Sequence, residues 1–161
     1  MIGPAGTVEE GLQNGEDSMN TIDLGSLTLE DLDGETRPEP PAGASREQQA
    51  VHTLRQTPIR ALGAEELSVL LRQRESLESV VSWALTLLEQ DPLTAGDFLP
   101  GGLLVALTDI PLEFWYGNAN STARLRIVTE NLSAQDDLAT YLPADHEVWR
   151  QLEALRKAEI L

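Results

Sequence analysis

From residue 46 onward, apolar residues recur at intervals of three and four, the period of a helix rather than the alternation of a strand. The clearest case runs from Leu77 to Gln90. There Leu77, Val80, Val81, Ala84, Leu85, Leu87 and Leu88 fall on one wide stripe, while Glu78, Ser79, Ser82, Thr86 and Glu89 cover the other side. This spacing predicts a central core helix, ended by Asp91-Pro92. Val51 and Leu54 predict a helix over Arg46 to Thr57 that Pro58 stops. Leu67, Leu70 and Leu71 predict the next one, beginning after Gly63 with Glu65 and Glu66 in the first turn, where they complement the helix dipole.

The pattern continues to the C-terminus. Leu103 to Leu107 is an apolar run that periodicity alone does not assign, but its helical neighbours favour helix. Pro111 suits the first position of a short helix carrying Phe114, Trp115 and Tyr116, with Gly117-Asn118 as its stop. Leu125, Val128 and Leu132 mark another, for which Ser121 or Thr122 is the expected N-cap. A last helix begins near Asp145 and places Val148, Trp149, Leu152 and Leu155 on one face, with Glu153 and Lys157 paired at i, i+4. No hairpin signature appears. The expected fold is all-α, an irregular bundle of about six or seven short helices over residues 46–161.

Residues 1–45 read differently. They hold ten carboxylates and a single cation, Arg37, and include the stretch Pro38-Glu39-Pro40-Pro41-Ala42-Gly43. Ordering such a segment costs backbone entropy of about 1–2 kcal/mol per residue with little apolar burial in return, so it is expected to be largely disordered or extended. One piece is the exception. Residues 26–32 supply Leu27, Leu29 and Leu32, with Thr28 ahead of two acids in the manner of an N-cap, and this piece can dock as a single turn. Met19 offers an alternative start, which would leave residues 1–18 outside the functional protein.

Charge changes the picture next. The 161 residues carry 27 acids against 11 bases, a net charge of −16, which repels phosphate backbones and anionic membranes and favours a basic protein partner. Direct nucleic-acid binding and membrane association are therefore not expected. The first residues carry no signal-peptide pattern, and no stretch approaches the roughly 20 apolar residues of a membrane span, so a cytoplasmic protein is expected. With no cysteine, thiolate catalysis and thiolate metal sites are excluded.

A catalytic inventory is missing. His52 and His146 are the only histidines, and nothing in the sequence sets a nucleophile or a second imidazole beside either. Asp31-Leu32-Asp33-Gly34 resembles part of a calcium loop, but aligning its glycine puts Leu29 at the first ligand position and Pro40 where the bidentate glutamate belongs. No phosphate-cradling glycine loop is present. The expectation is a non-enzyme without catalytic residues, cofactor or metal. An acidic helical adaptor or regulatory module that binds another protein fits this composition.

A more specific reading comes from Leu54-Arg55-Gln56-Thr57-Pro58-Ile59-Arg60, the Glu65-Glu66-Leu67 helix start, Leu87-Leu88-Glu89-Gln90-Asp91-Pro92-Leu93, and Gly96-Asp97-Phe98-Leu99-Pro100-Gly101 followed by Leu103-Leu104. In this order the motifs resemble the immunity proteins of bacterial contact-dependent growth inhibition systems. The likeness covers about residues 24–131, and Leu27 to Leu32 resembles that family's N-terminal piece. Where the family carries a glycine-bearing turn before the long apolar helix, this chain has Arg74-Glu75-Ser76. The resemblance implies a protein that binds the C-terminal domain of a cognate toxin, expected to be a basic nuclease, and covers its active site or substrate groove. Trp115 and Tyr116 are the expected anchors, since they give a short helix more aromatic area than it needs. Asp91, Asp97, Asp109 and Glu113, nearby in sequence, are the expected steering acids.

Overall fold

The computed structural model describes residues 24–94 and 100–161. Within them lie nine α-helices and no strand: α1 (Leu29–Asp33), α2 (Arg46–Arg55), α3 (Ala64–Arg72), α4 (Leu77–Gln90), α5 (Gly102–Thr108), α6 (Leu112–Tyr116), α7 (Ala119–Ser133), α8 (Leu138–Tyr141) and α9 (Glu147–Lys157). Leu24–Ser26 and Ile59–Ala61 form single 3-10 turns. The architecture is the expected all-α bundle. Eight of these helices lie in residues 46–161, more than the six or seven expected there because α8, of four residues, is too short for a periodicity argument to detect; α1 falls at the single turn expected over residues 26–32.

Local chemistry explains most helix boundaries. Thr28 forms a capping box with Asp31: its hydroxyl accepts from the Asp31 N–H at 3.1 Å, while the Asp31 carboxylate accepts from the Thr28 N–H at 2.9 Å. Ser45 and Gln48 repeat the device at the start of α2. Helix α7 begins earlier than expected, at Ala119, with Asn118 at the cap position and its side-chain amide donating back to the Phe114 carbonyl at 2.7 Å. Thr122 therefore lies inside the helix, where its hydroxyl donates back to the Trp115 carbonyl at 2.9 Å. At the start of α9, His146 Nδ1 accepts from the Val148 N–H at 3.1 Å, a helix-end role that also fixes the ring tautomer.

Helix α4 sits at the centre. Val80, Val81, Ala84, Leu85 and Leu88 are fully buried, and α4 packs against α3, α5 and α7. Leu67, Leu70 and Leu71 of α3, Leu103, Leu104 and Leu107 of α5, and Leu125, Val128 and Leu132 of α7 complete the core. Each such side chain removed from water contributes about 1.5–3 kcal/mol, which drives a bundle whose individual helices are too short to stand alone. Arg124 of α7 adds a polar clamp, donating to Glu89 at 2.6 Å and to Ser82 and Thr86 at 3.1 Å on α4. Any other residue would be strained at Gly101. Its φ is +84°, and a Cβ there would lie 2.8 Å from Leu142 Cδ2.

The chain ahead of the bundle is bound to it at points between Leu27 and Arg37. Leu29 is fully buried, and the Ile59 N–H donates to the Leu27 carbonyl at 2.9 Å. Residues 1–23 of the acidic segment lie outside the described residues. Among the described residues no helix is long and apolar enough to cross a membrane.

Candidate functional site

Helix α6 turns its two aromatic neighbours in opposite directions. Trp115 is 1% exposed and meets Phe114 edge to face, with centroids 5.4 Å apart and planes at 86°. As a core residue it is not available to a partner, which corrects its assignment as a surface anchor: the wall formed by α7, to which Thr122 ties the Trp115 carbonyl, takes up the indole side of this helix. Tyr116 is 64% exposed and Leu112, one turn earlier, 40%. These two share the outward face of α6, with Glu113 exposed beside them.

The expected steering acids divide by location. Asp109 is exposed immediately before α6, and its main-chain carbonyl accepts from Arg74 at 3.2 Å, so that the carboxylate is not what Arg74 engages. Glu113 therefore lies beside Leu112 and Tyr116 on α6, while Asp109 is exposed three residues ahead of Leu112. Asp91 sits elsewhere, at the end of α4, where its carboxylate accepts from the Leu93 N–H at 3.0 Å and organises the turn. Asp97 lies outside the described residues.

A second polar constellation escaped the sequence reasoning. Arg55, 1% exposed, donates to Asp33 at 3.0 Å, to the Glu35 carbonyl at 2.8 Å and to the Ser76 hydroxyl at 2.8 Å, and lies 3.6 Å from Glu75. Ser76 in turn donates to the other Asp33 oxygen at 2.6 Å. Burial pushes the Asp33 carboxyl up, but hydrogen bonds from Ser76, the Glu35 N–H and Arg55, together with the Arg55 charge, outweigh it and hold the pKa below the usual 3.8. Arg37 joins this group through Glu75 at 2.6 Å and Glu35 at 3.3 Å; chiefly the Glu75 hydrogen bond raises its pKa further. Asp33 is thus spent on an internal ion pair. Among the described residues no cluster of histidine and carboxylate groups could hold a metal ion.

The arrangement has a consequence for the surface. Arg37, Arg55, Arg124 and Arg156 are each paired with a carboxylate, while Arg74 and Arg126 donate to main-chain carbonyls; of these six, Arg55 alone is buried, and the excess of acids stays unbalanced. Arg156 takes the Glu153 carboxylate at 3.6 Å, the pairing expected of Lys157. Exposed acids such as Asp109 and Glu113 then set the character of the outer face.

Sequence comparison identifies the family of the chain. The profile of a family described as CDI immunity proteins matches residues 17–125, more than half of the chain. The chain belongs to this family. Neither the curated proteins nor the solved structures contain a match. Membership in the CDI immunity proteins establishes a role in immunity against a toxin and implies inhibition by binding rather than turnover of a substrate. It also gives Arg55 its setting: the Leu-Arg-x-x-Pro motif inside the matched region supplies the buried guanidinium that fastens α1 to α2.

Proposed function

We propose that this immunity protein acts in the cytoplasm by covering a positively charged groove on the C-terminal domain of its cognate toxin, a basic nuclease. The observation that carries this reading is the excess of acids over bases, a net charge of −16, with acids such as Asp109 and Glu113 exposed. A nuclease groove must be basic to hold a phosphate backbone, and an acidic face competes for that groove directly. Charge complementarity of this kind raises association rates toward about 10⁸–10⁹ M⁻¹s⁻¹ at low salt. Slow release has a different origin. Picomolar affinity corresponds to about −16 kcal/mol, most of it carried by a few desolvated anchors, for which Tyr116 and Leu112 are exposed apolar candidates with Glu113 beside them on α6 and Asp109 nearby in sequence. Asp91 and Asp97 contribute to the long-range field.

The test is to titrate the protein into the toxin domain encoded beside it, following nuclease activity and association kinetics from low salt to about 0.5 M. Stoichiometric loss of activity and an on-rate that falls about tenfold or more are expected. A toxin left fully active at excess inhibitor overturns the immunity pairing; inhibition with a salt-insensitive on-rate overturns the charge-steering step alone.

A further inference from the structure

Tyr116 is exposed but fixed. Its hydroxyl donates to the Ala158 carbonyl at 2.8 Å, joining the outward face of α6 to the C-terminal end of α9. The receiving segment is itself held in place. The Ile160 N–H donates to the Leu155 carbonyl at 2.9 Å, Glu159 turns the chain with φ +63°, and Ile160 is 2% exposed against the core. From the other side Arg126 Nε donates to the Ile160 carbonyl at 3.1 Å. The last four residues are therefore a docked clasp whose first carbonyl receives the phenol.

We propose that this clasp is a positioning device: residues 158–161 lock the Tyr116 ring in its binding rotamer and present it, beside Leu112, as a preformed anchor for the toxin. The inference rests on the immunity reading given above. Because the hydroxyl is satisfied within the chain, the ring offers its partner an apolar edge and asks for no acceptor in return. The matching site on the toxin is an apolar pocket rimmed by lysine or arginine, since Glu113 stands exposed three residues from Tyr116 on the same helix. A ring ordered before encounter spares the cost of freezing it on binding, and a binding-competent state populated in advance raises the apparent affinity in proportion to its population.

The test compares Tyr116→Phe with Tyr116→Ala in the full chain against the toxin domain encoded beside it. Tyr116→Phe keeps the ring and removes only the tether; we expect affinity to fall about three- to tenfold, mainly through slower association, with a melting temperature lowered by no more than a few degrees. Tyr116→Ala removes the anchor and is expected to weaken binding about thirtyfold or more. Phe binding like the wild type overturns the clasp while leaving the anchor in place. Ala binding like the wild type, with inhibition intact, overturns the anchor and leaves the immunity reading standing. Absence of any wild-type complex removes the functional reading itself.

Discussion

Arg55 and Asp33, 22 residues apart in the chain, meet at 3.0 Å across the junction of α1 and α2, with the arginine almost wholly buried. This pair, with Ser76 closing the triangle, fastens the N-terminal segment to the bundle. A guanidinium so placed is stable only while its carboxylates remain, and they in turn depend on it.

Removing one partner therefore costs more than the pair itself contributes. Arg55→Met should destabilise the fold by about 3 kcal/mol, because Asp33 loses its counter-charge in a partly buried site and Glu75 keeps only Arg37. Urea denaturation of the variant measures this. Faster hydrogen exchange localised to residues 24–37 would identify the junction as the element released, and uniform exchange across α4 would contradict that assignment.

The same pair sets an acid limit. The folded-state pKa of Asp33 lies below its unfolded value of 3.8, so its contribution is fully present above that value and is lost as pH falls through the folded pKa. Stability should therefore decline more steeply below about pH 4 in the wild type than in Asp33→Asn, which has no carboxylate to protonate at this position. Thermal melts of both proteins from about pH 6 down to 2.5 provide the comparison, and parallel curves would exclude Asp33 as a source of the slope.

Much of the bundle was legible because periodicity and punctuation act locally. The α4 stripe, the Asp91-Pro92 stop and the Thr28 cap each lie within a few residues of their cause. Arg55 was not legible: arginine is ordinarily a surface residue, and its partners Asp33, Glu35, Ser76 and Glu75 come from segments about 20 residues away on either side. The division of labour on α6 was hidden for a related reason. A five-residue helix has too few positions to define a face, so only the packing of α6 on α7 separates Trp115 from Tyr116. The edge around Asp109 and Glu113 was legible as charge, while the tether from Tyr116 to Ala158 spans 42 residues and leaves no sequence signal.

That division predicts opposite phenotypes for neighbouring substitutions. Trp115→Ala should cost about 3–5 kcal/mol of stability by opening a cavity under α6, whereas Tyr116→Ala should cost about 1 kcal/mol or less, the worth of one exposed hydrogen bond. Chemical denaturation separates the two directly. A large stability loss in Tyr116→Ala would mean that the ring packs as core and cannot be counted as surface.

The Arg74-Glu75-Ser76 turn sets two effects against each other. Arg74 and Ser76 hold φ of +58° and +44°, a left-handed conformation that costs a non-glycine residue about 1 kcal/mol. Arg74 occupies the position at the end of α3 where glycine is usual, with its own N–H donating to the Leu71 carbonyl and that of Glu75 to the Leu70 carbonyl. Its side-chain bonds, to the Leu71 and Asp109 carbonyls, are long at 3.3 and 3.2 Å. Relief of strain should win there, so Arg74→Gly is expected to be neutral or stabilising by up to about 1 kcal/mol. Ser76 bonds both Arg55 at 2.8 Å and Asp33 at 2.6 Å, interactions with charged groups worth about 1.5–3 kcal/mol. Loss of those bonds should outweigh the same relief, so Ser76→Gly is expected to destabilise by about 1 kcal/mol. Opposite signs for the two glycine substitutions in one denaturation series support this balance; a gain in both would show that the Ser76 hydroxyl contributes less than its short bonds indicate.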